Sequence, residues 1–186
     1  MKHLVLSFWS MLLCGGALAF EPPTVKRYEV VGNTLQEVRE SMNARGPVGE
    51  DGVGYHGDLK WQIEWAYQFA PKGRLCGLDA VKVKLKATMK LPAWKQPDDG
   101  VSEDLVREWD RYITALRHHE DGHYETAVAA ADEIKQRLSK LRGRTDCAAV
   151  GKDADAQAQE ILEEFRAKDR DYDATTHHGI TQGAQF

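Results

Sequence analysis

The stretch Leu105 to Leu141, LVREWDRYITALRHHEDGHYETAVAAADEIKQRLSKL, carries the longest helical pattern in the sequence and decides how the rest is read. With Leu105 at zero and about 100° per residue, Leu105, Trp109, Tyr112, Leu116, Ala127, Ala130, Ile134, Leu138 and Leu141 fall within one stripe of roughly 90°. His119, Glu120 and His123 lie in or at the edges of that stripe, whereas His118 points to the opposite side and is read as solvated. Two imidazoles four residues apart on one helix face can share a metal ion, and the carboxylate between them can take a proton from a metal-activated water. The competing reading is a pair of core histidines satisfied by Glu120. Burying three ionisable groups unpaired is costly, and a bound cation removes that cost. The stripe is therefore read as a metal site. Ser102 followed by Glu103 and Asp104 caps the start of this helix, and Gly143 ends it.

Working outward, 186 residues suit one domain. Residues 1–19 read as a signal peptide: Lys2 and His3 precede an apolar run from Leu4 to Leu13, and Ala17-Leu18-Ala19 is a small-x-small cleavage site. Leu13 before Cys14 is too large for the usual lipid-attachment box. The mature chain is expected to start near Phe20, in the periplasm or secreted, as a single domain over 20–186. Two cysteines then remain, Cys76 and Cys147, and an even pair in an oxidising compartment predicts a disulfide. Closing a loop of about 70 residues would contribute about 4 kcal/mol in the chain-entropy account. Neither cysteine has another Cys or a His at ligand spacing. The leader's one charged side chain is Lys2, so its removal takes the formal net charge from −4 to −5. That balance argues against a nucleic-acid partner, and no basic amphipathic segment or apolar span predicts stable membrane insertion. The expectation is a soluble monomer.

Towards the N-terminus, Val25 to Val31 is rich in β-branched and aromatic residues and reads as a strand. Thr34 with Glu37 three residues later forms a capping box for a short helix from about Thr34 to Ala44. Gly46 to Gly57, with five glycines and Pro47, is a loop that lacks the lysine of a phosphate-binding loop. Leu59 to Phe69 alternates strictly enough to be a half-buried strand of the antiparallel type, and Val81 to Leu91 is its partner, with Lys82, Lys84 and Lys86 on the solvated side. Pro92, Trp94 and Pro97 read as the loop that ends it. A second helix is expected over Glu160 to Lys168, followed by a polar tail without a regular period.

A catalytic zinc normally takes three protein ligands, and the long helix supplies two. Tyr124-Glu125-Thr126-Ala127 follows His123, so no Gly-x-x-His extension provides a third. Glu160, Glu163 and Glu164 sit in a charge-rich, solvated-looking segment. The remaining candidates are Asp173, His177 and His178 in the tail.

Taken together, Tyr28-Glu29-Val30, Gly32-Asn33-Thr34, Gly46-Pro47, the tryptophan-rich strand, Leu91-Pro92-x-Trp94, His119-Glu120-x-Gly122-His123, Cys147 and the ending Tyr172-Asp173-x-x-Thr176-x-His178-Gly179 with Gln182-Gly183-Ala184 resemble a family of bacterial proteins of unknown function described as predicted secreted zinc-dependent proteases. The resemblance implies His178 as third ligand and places Tyr172 near the metal, to orient a ligand or stabilise an oxyanion; a packed tail tyrosine is the other reading. The expected whole is an α+β domain: an antiparallel sheet packed on a long zincin-type helix, with a second C-terminal helix. His119, His123 and His178 would bind zinc, and Glu120 would act as general base towards a peptide or protein substrate, with cell-envelope peptides included. The alternative is an exported zinc-binding or interaction module without catalysis. Gly122 inside a helix costs about 1 kcal/mol relative to alanine and calls for a close approach of backbone or substrate.

Overall fold

The computed structural model describes residues 20–49, 51–97, 99–143 and 146–186, and the signal peptide read over 1–19 lies outside them. The elements run β1 (Thr24–Val30), α1 (Leu35–Arg45), β2 (Asp58–Lys72), β3 (Leu75–Trp94), α2 (Glu103–Ser139), α3 (Cys147–Thr176) and a 3-10 turn at Ile180–Gln182. The fold is α+β, a three-stranded sheet with three helices. β2 and β3 form the expected antiparallel pair, with Leu59 opposite Met89 and Ile63 opposite Leu85. The expectation of a wholly antiparallel sheet is corrected by β1, which runs parallel to β3 from Thr24 opposite Thr88 to Val30 opposite Trp94, giving the order β1-β3-β2. Strand composition reports which face is buried, not direction; the crossover through α1 and β2 sets the direction here.

Several boundaries differ from expectation: β2 runs on past Phe69 to Lys72, β3 begins at Leu75 rather than Val81, and the helix expected over Glu160 to Lys168 begins at Cys147. β3 continues through Pro92 to Trp94, and beyond Lys90 it pairs, among the described residues, with β1 alone, so that Pro92 lies where the strand has one partner. α3 runs from Cys147 to Thr176, so most of the segment read as an irregular tail is helix. Elsewhere the local signals hold. Thr34 and Glu37 form both arms of the capping box, and the Ser102 side chain accepts from the Leu105 N–H.

The buried positions of α2 include Leu105, Trp109, Tyr112, Leu116, Ala127, Ala130, Ile134 and Leu138, the stripe read from periodicity. They serve two apolar clusters. One gathers Val30, Val38, Met42, Met89 and Leu91 around Trp109 and Tyr112 at the N-terminal half of α2. The other joins Ala127, Ala130, Ala131 and Ile134 to Leu78, Leu85 and the α3 residues Val150, Ala154, Ala158 and Ile161. His119, Glu120 and His123 lie at the seam between them, buried at 3%, 3% and 7% exposure. Cys76 and Cys147 form a disulfide across 71 residues, which ties β3 to the first turn of α3 and takes both cysteines out of the ligand candidates. Residues after α3 fold back: Phe186 packs among Trp109 and Tyr112, and Arg39 donates from Nε to the Phe186 carbonyl oxygen at 3.0 Å. Among the described residues no helix is long and apolar enough to cross a membrane.

Candidate metal centre

α2 and α3 form an antiparallel pair, so positions 119 and 123 of one face positions 173 and 169 of the other. His119 Nε2 lies 3.1 Å and His123 Nε2 3.0 Å from the same oxygen, Asp173 Oδ1, and the two Nε2 atoms are 3.2 Å apart. The outer nitrogens are held elsewhere. His119 Nδ1 donates to Gln182 Oε1 at 2.9 Å, and His123 Nδ1 donates to Asp169 Oδ1 at 2.8 Å. Trp61 of β2 donates its indole N–H to the other Asp169 oxygen at 3.1 Å. With the Nδ1 protons committed outward, each neutral imidazole turns a lone pair inward, towards an oxygen that can only accept.

Three acceptors facing one another need a cation between them, either a proton on an imidazole or a metal. A tetrahedral ion with donors at about 2.0–2.2 Å sets them about 3.3–3.6 Å apart, close to the observed triangle. His119, His123 and Asp173 therefore form a group that fits a divalent metal. Without one, charge sharing does the work: burial alone would lower His123, but its hydrogen bonds to Asp169 and Asp173 raise it to about 10. Burial likewise raises Asp173, yet the His119 and His123 hydrogen bonds outweigh it and hold that carboxyl well below the usual range.

Glu120 has a different surrounding. No hydrogen-bond partner among the described residues reaches its carboxyl group, which opens onto a cavity of about 610 Å³ shared with His119, His123, Asp173 and the loop before β2. Burial pushes it up to about 8; His123 pulls the other way, and Asp58, Asp173 and Asp169 add to the rise. Its place is set by Gly57. A Cβ there would collide with Glu120 Oε1 and stand 3.1 Å from Glu120 Cδ, so any side chain at position 57 would push the carboxyl group from its place.

Tyr172 stacks on His119 at 5.0 Å between centroids and 12° between planes, and meets His123 edge-on. Its hydroxyl accepts from Gln182 Nε2 at 2.9 Å and donates to the His119 carbonyl at 3.3 Å. The same Gln182 amide thus holds both the tyrosine and the histidine. Tyr172 does not line the cavity. It also accounts for Gly122, where a Cβ would stand 2.6 Å from Tyr172 Cζ. Gly179, at φ +83°, does the same for His119, whose Cγ would lie 3.0 Å from a Cβ.

His178 is 51% exposed on its side chain, its Nδ1 3.4 Å from Asp173 Oδ1 and its ring 4.9 Å from Tyr55. His177 and His178 both adopt φ +51°, left-handed backbone that side chains other than glycine enter at a cost, and both line the cavity. His118 is exposed, as expected. Glu160, Glu163 and Glu164 are exposed on α3 and do not line the cavity. Asp169, Gln182 and Gly57 escape sequence reasoning. The signal for the first is its spacing: Asp169 and Asp173 are four apart, as His119 and His123 are, which places both on one face once 171–176 is helix.

Compared with known proteins, residues 25–179 match the family described as a bacterial protein of unknown function, DUF922, and the chain belongs to it. No curated protein and no solved structure matches the chain.

Proposed function

We propose that this member of the DUF922 family is an exported zinc-dependent peptidase. The observation that carries the reading is the juxtaposition of two kinds of group: a triangle of two imidazole nitrogens and a carboxylate oxygen 3.0–3.2 Å apart, and beside it a buried carboxyl group with no hydrogen-bond partner among the described residues. His119, His123 and Asp173 would hold the metal, with Asp169, Gln182 and Tyr172 fixing the two imidazoles. Zinc held there polarises a carbonyl and makes water more acidic. With a cation in the triangle favouring its ionised form, Glu120 would receive the proton of a water entering the cavity and later deliver it to the departing amine nitrogen, so one carboxyl group would serve both halves of the hydrolysis. Among the described residues β2 pairs only with β3, and its free edge begins at Asp58, next to Glu120. An extended peptide added to that edge would run past the site. The disulfide supports an oxidising compartment.

His178 is the other candidate for third donor, favoured by its 3.4 Å approach to the Asp173 oxygen. The test of the function uses mature protein stripped with chelator and reloaded with zinc, assayed on fluorescently labelled casein and on cell-wall peptides, beside Glu120→Gln. One zinc per chain and hydrolysis that collapses in Glu120→Gln, with zinc retained, is the expected result. Equal behaviour of the two proteins would mean a zinc-binding module without catalysis, and no stoichiometric zinc would end the reading.

A further inference from the structure

The wall of the cavity opposite α3 holds a second polar cluster that the hydrolysis above does not use. His56, on the loop before β2, has both ring nitrogens engaged: Nε2 with Asn43 Oδ1 of α1 at 2.8 Å and Nδ1 with the Tyr112 hydroxyl of α2 at 2.6 Å. An amide oxygen only accepts, so Nε2 carries the proton and Nδ1 accepts from Tyr112. The His56 carbonyl in turn accepts from the Tyr28 hydroxyl of β1 at 2.9 Å. Three elements thus grip one loop residue, and Tyr112 is itself fully buried. The next residue is Gly57, whose backbone touches α2 at Leu116 and Glu120. Tyr112, Leu116 and Glu120 are spaced four apart, so the clamp and the carboxyl group share one face of the same helix.

Resting on the peptidase reading, we propose that His56 is a positioning residue for Glu120: its neutral imidazole locks the loop so that the Gly57 backbone limits where the carboxyl group can stand. Loops with this much glycine, five residues of twelve here, wander unless something pins them. The pin acts one residue away from the group that moves protons. Misplacing a reacting group by about 1 Å costs on the order of a hundredfold in rate, whereas zinc, held from α2 and α3, should not notice.

The experiment is a double-mutant cycle on labelled casein: His56→Ala and His56→Gln, each in the parent and in Glu120→Gln, with zinc content and melting temperature recorded for all. Glutamine can donate to Asn43 as imidazole does, so it separates lost positioning from lost packing. In the parent, His56→Ala should lower kcat by about tenfold to a hundredfold with KM and zinc content nearly unchanged, and His56→Gln should recover most of it. Applied to Glu120→Gln, His56→Ala should cost less than about twofold of the residual rate, because the partner it positions is gone. The carboxyl carbon of Glu120, followed by NMR in zinc-free protein, should shift in His56→Ala and return in His56→Gln. An unchanged kcat, an equal loss in both backgrounds, or an unmoved Glu120 resonance overturns the proposal and leaves the peptidase reading standing. Should Glu120→Gln match the parent, the peptidase reading falls, and the role of His56 in it.

Discussion

Replacing Gly122 by alanine tests whether the helix was built for itself or for Tyr172. On helix propensity alone the change should stabilise α2 by about 1 kcal/mol. The structure reverses that sign. The new methyl would stand 2.6 Å from Cζ and 3.0 Å from Cε1 of Tyr172, as well as colliding with its hydroxyl. Ordinary contact therefore needs a retreat of the ring by about 1 Å. The ring has nowhere easy to go, being stacked on His119 and bonded to Gln182 and the His119 carbonyl. Overpacking of this kind costs about 2–3 kcal/mol, leaving a net loss of about 1–2 kcal/mol, or about 2–8 °C in melting temperature for a domain of this size. Because Gln182 orients His119, zinc affinity should fall about tenfold to a hundredfold. The assay is thermal unfolding of chelator-treated protein for the parent, Gly122→Ala, Tyr172→Ala and the double variant, with zinc affinity by competition. In the Tyr172→Ala background, Gly122→Ala should gain the propensity term and stabilise. A stabilising Gly122→Ala in the parent, or the same effect in both backgrounds, would refute the reasoning.

The third donor is decided by comparing Asp173→Ala with His178→Ala: the first should weaken zinc binding by more than about a hundredfold, beyond the range of outer partners, and the second by less than about tenfold, with the reverse order assigning the ligand to His178. Serine at both Cys76 and Cys147 should cost about 4 kcal/mol in urea unfolding, and a loss under about 1 kcal/mol would mean that the unfolded chain is not constrained by that closure. Zinc-free protein should lose stability as pH rises: His123 goes from the usual 6.5 up to about 10 and Glu120 from 4.5 up to about 8 on folding, so the folded state binds more protons between those limits and is favoured below them. Asp173, lowered, acts oppositely and matters only in acid. Urea unfolding of chelator-treated protein at pH 5, 7 and 9 should therefore weaken in that order, while the added stability from saturating zinc grows with pH, because binding displaces protons.

How much of this was legible depends on what reported each part. The apolar stripe of α2 reported itself through period, including the three ionisable residues in it, because one face of that helix meets apolar neighbours along nearly its whole length. The last turns of α3 carry no such period. Asp169, Tyr172, Asp173 and Thr176 face a polar group instead of a core, so the pattern that marks helices is missing where the helix meets that group. The parallel placement of β1 was hidden for a different reason: an alternating strand shows its buried face and not its direction. Gly57 and Gly122 are visible as glycines, but what each makes room for is a side chain far away in sequence.

The same facts explain why the site sits where it does. Histidines four apart on α2 and aspartates four apart on α3 can meet as pairs only if the helices run antiparallel and in register, and the His119–Asp173 and His123–Asp169 contacts have that order. α3 is tied at its first turn by the Cys76–Cys147 bridge and packed through its middle by Val150, Ala154, Ala158 and Ile161. Those constraints lie at the other end from Asp173, and beyond Leu162 no fully buried apolar residue of α3 continues them. What holds the last turns against α2 is therefore the polar group itself, with Trp61 on Asp169 and Gln182 on His119 as its outer supports. Metal binding and local folding would then be coupled: a cation between the three groups would replace proton sharing with bonds from both helices, and so would fix the end of α3 and the turn at 177–179 in one step.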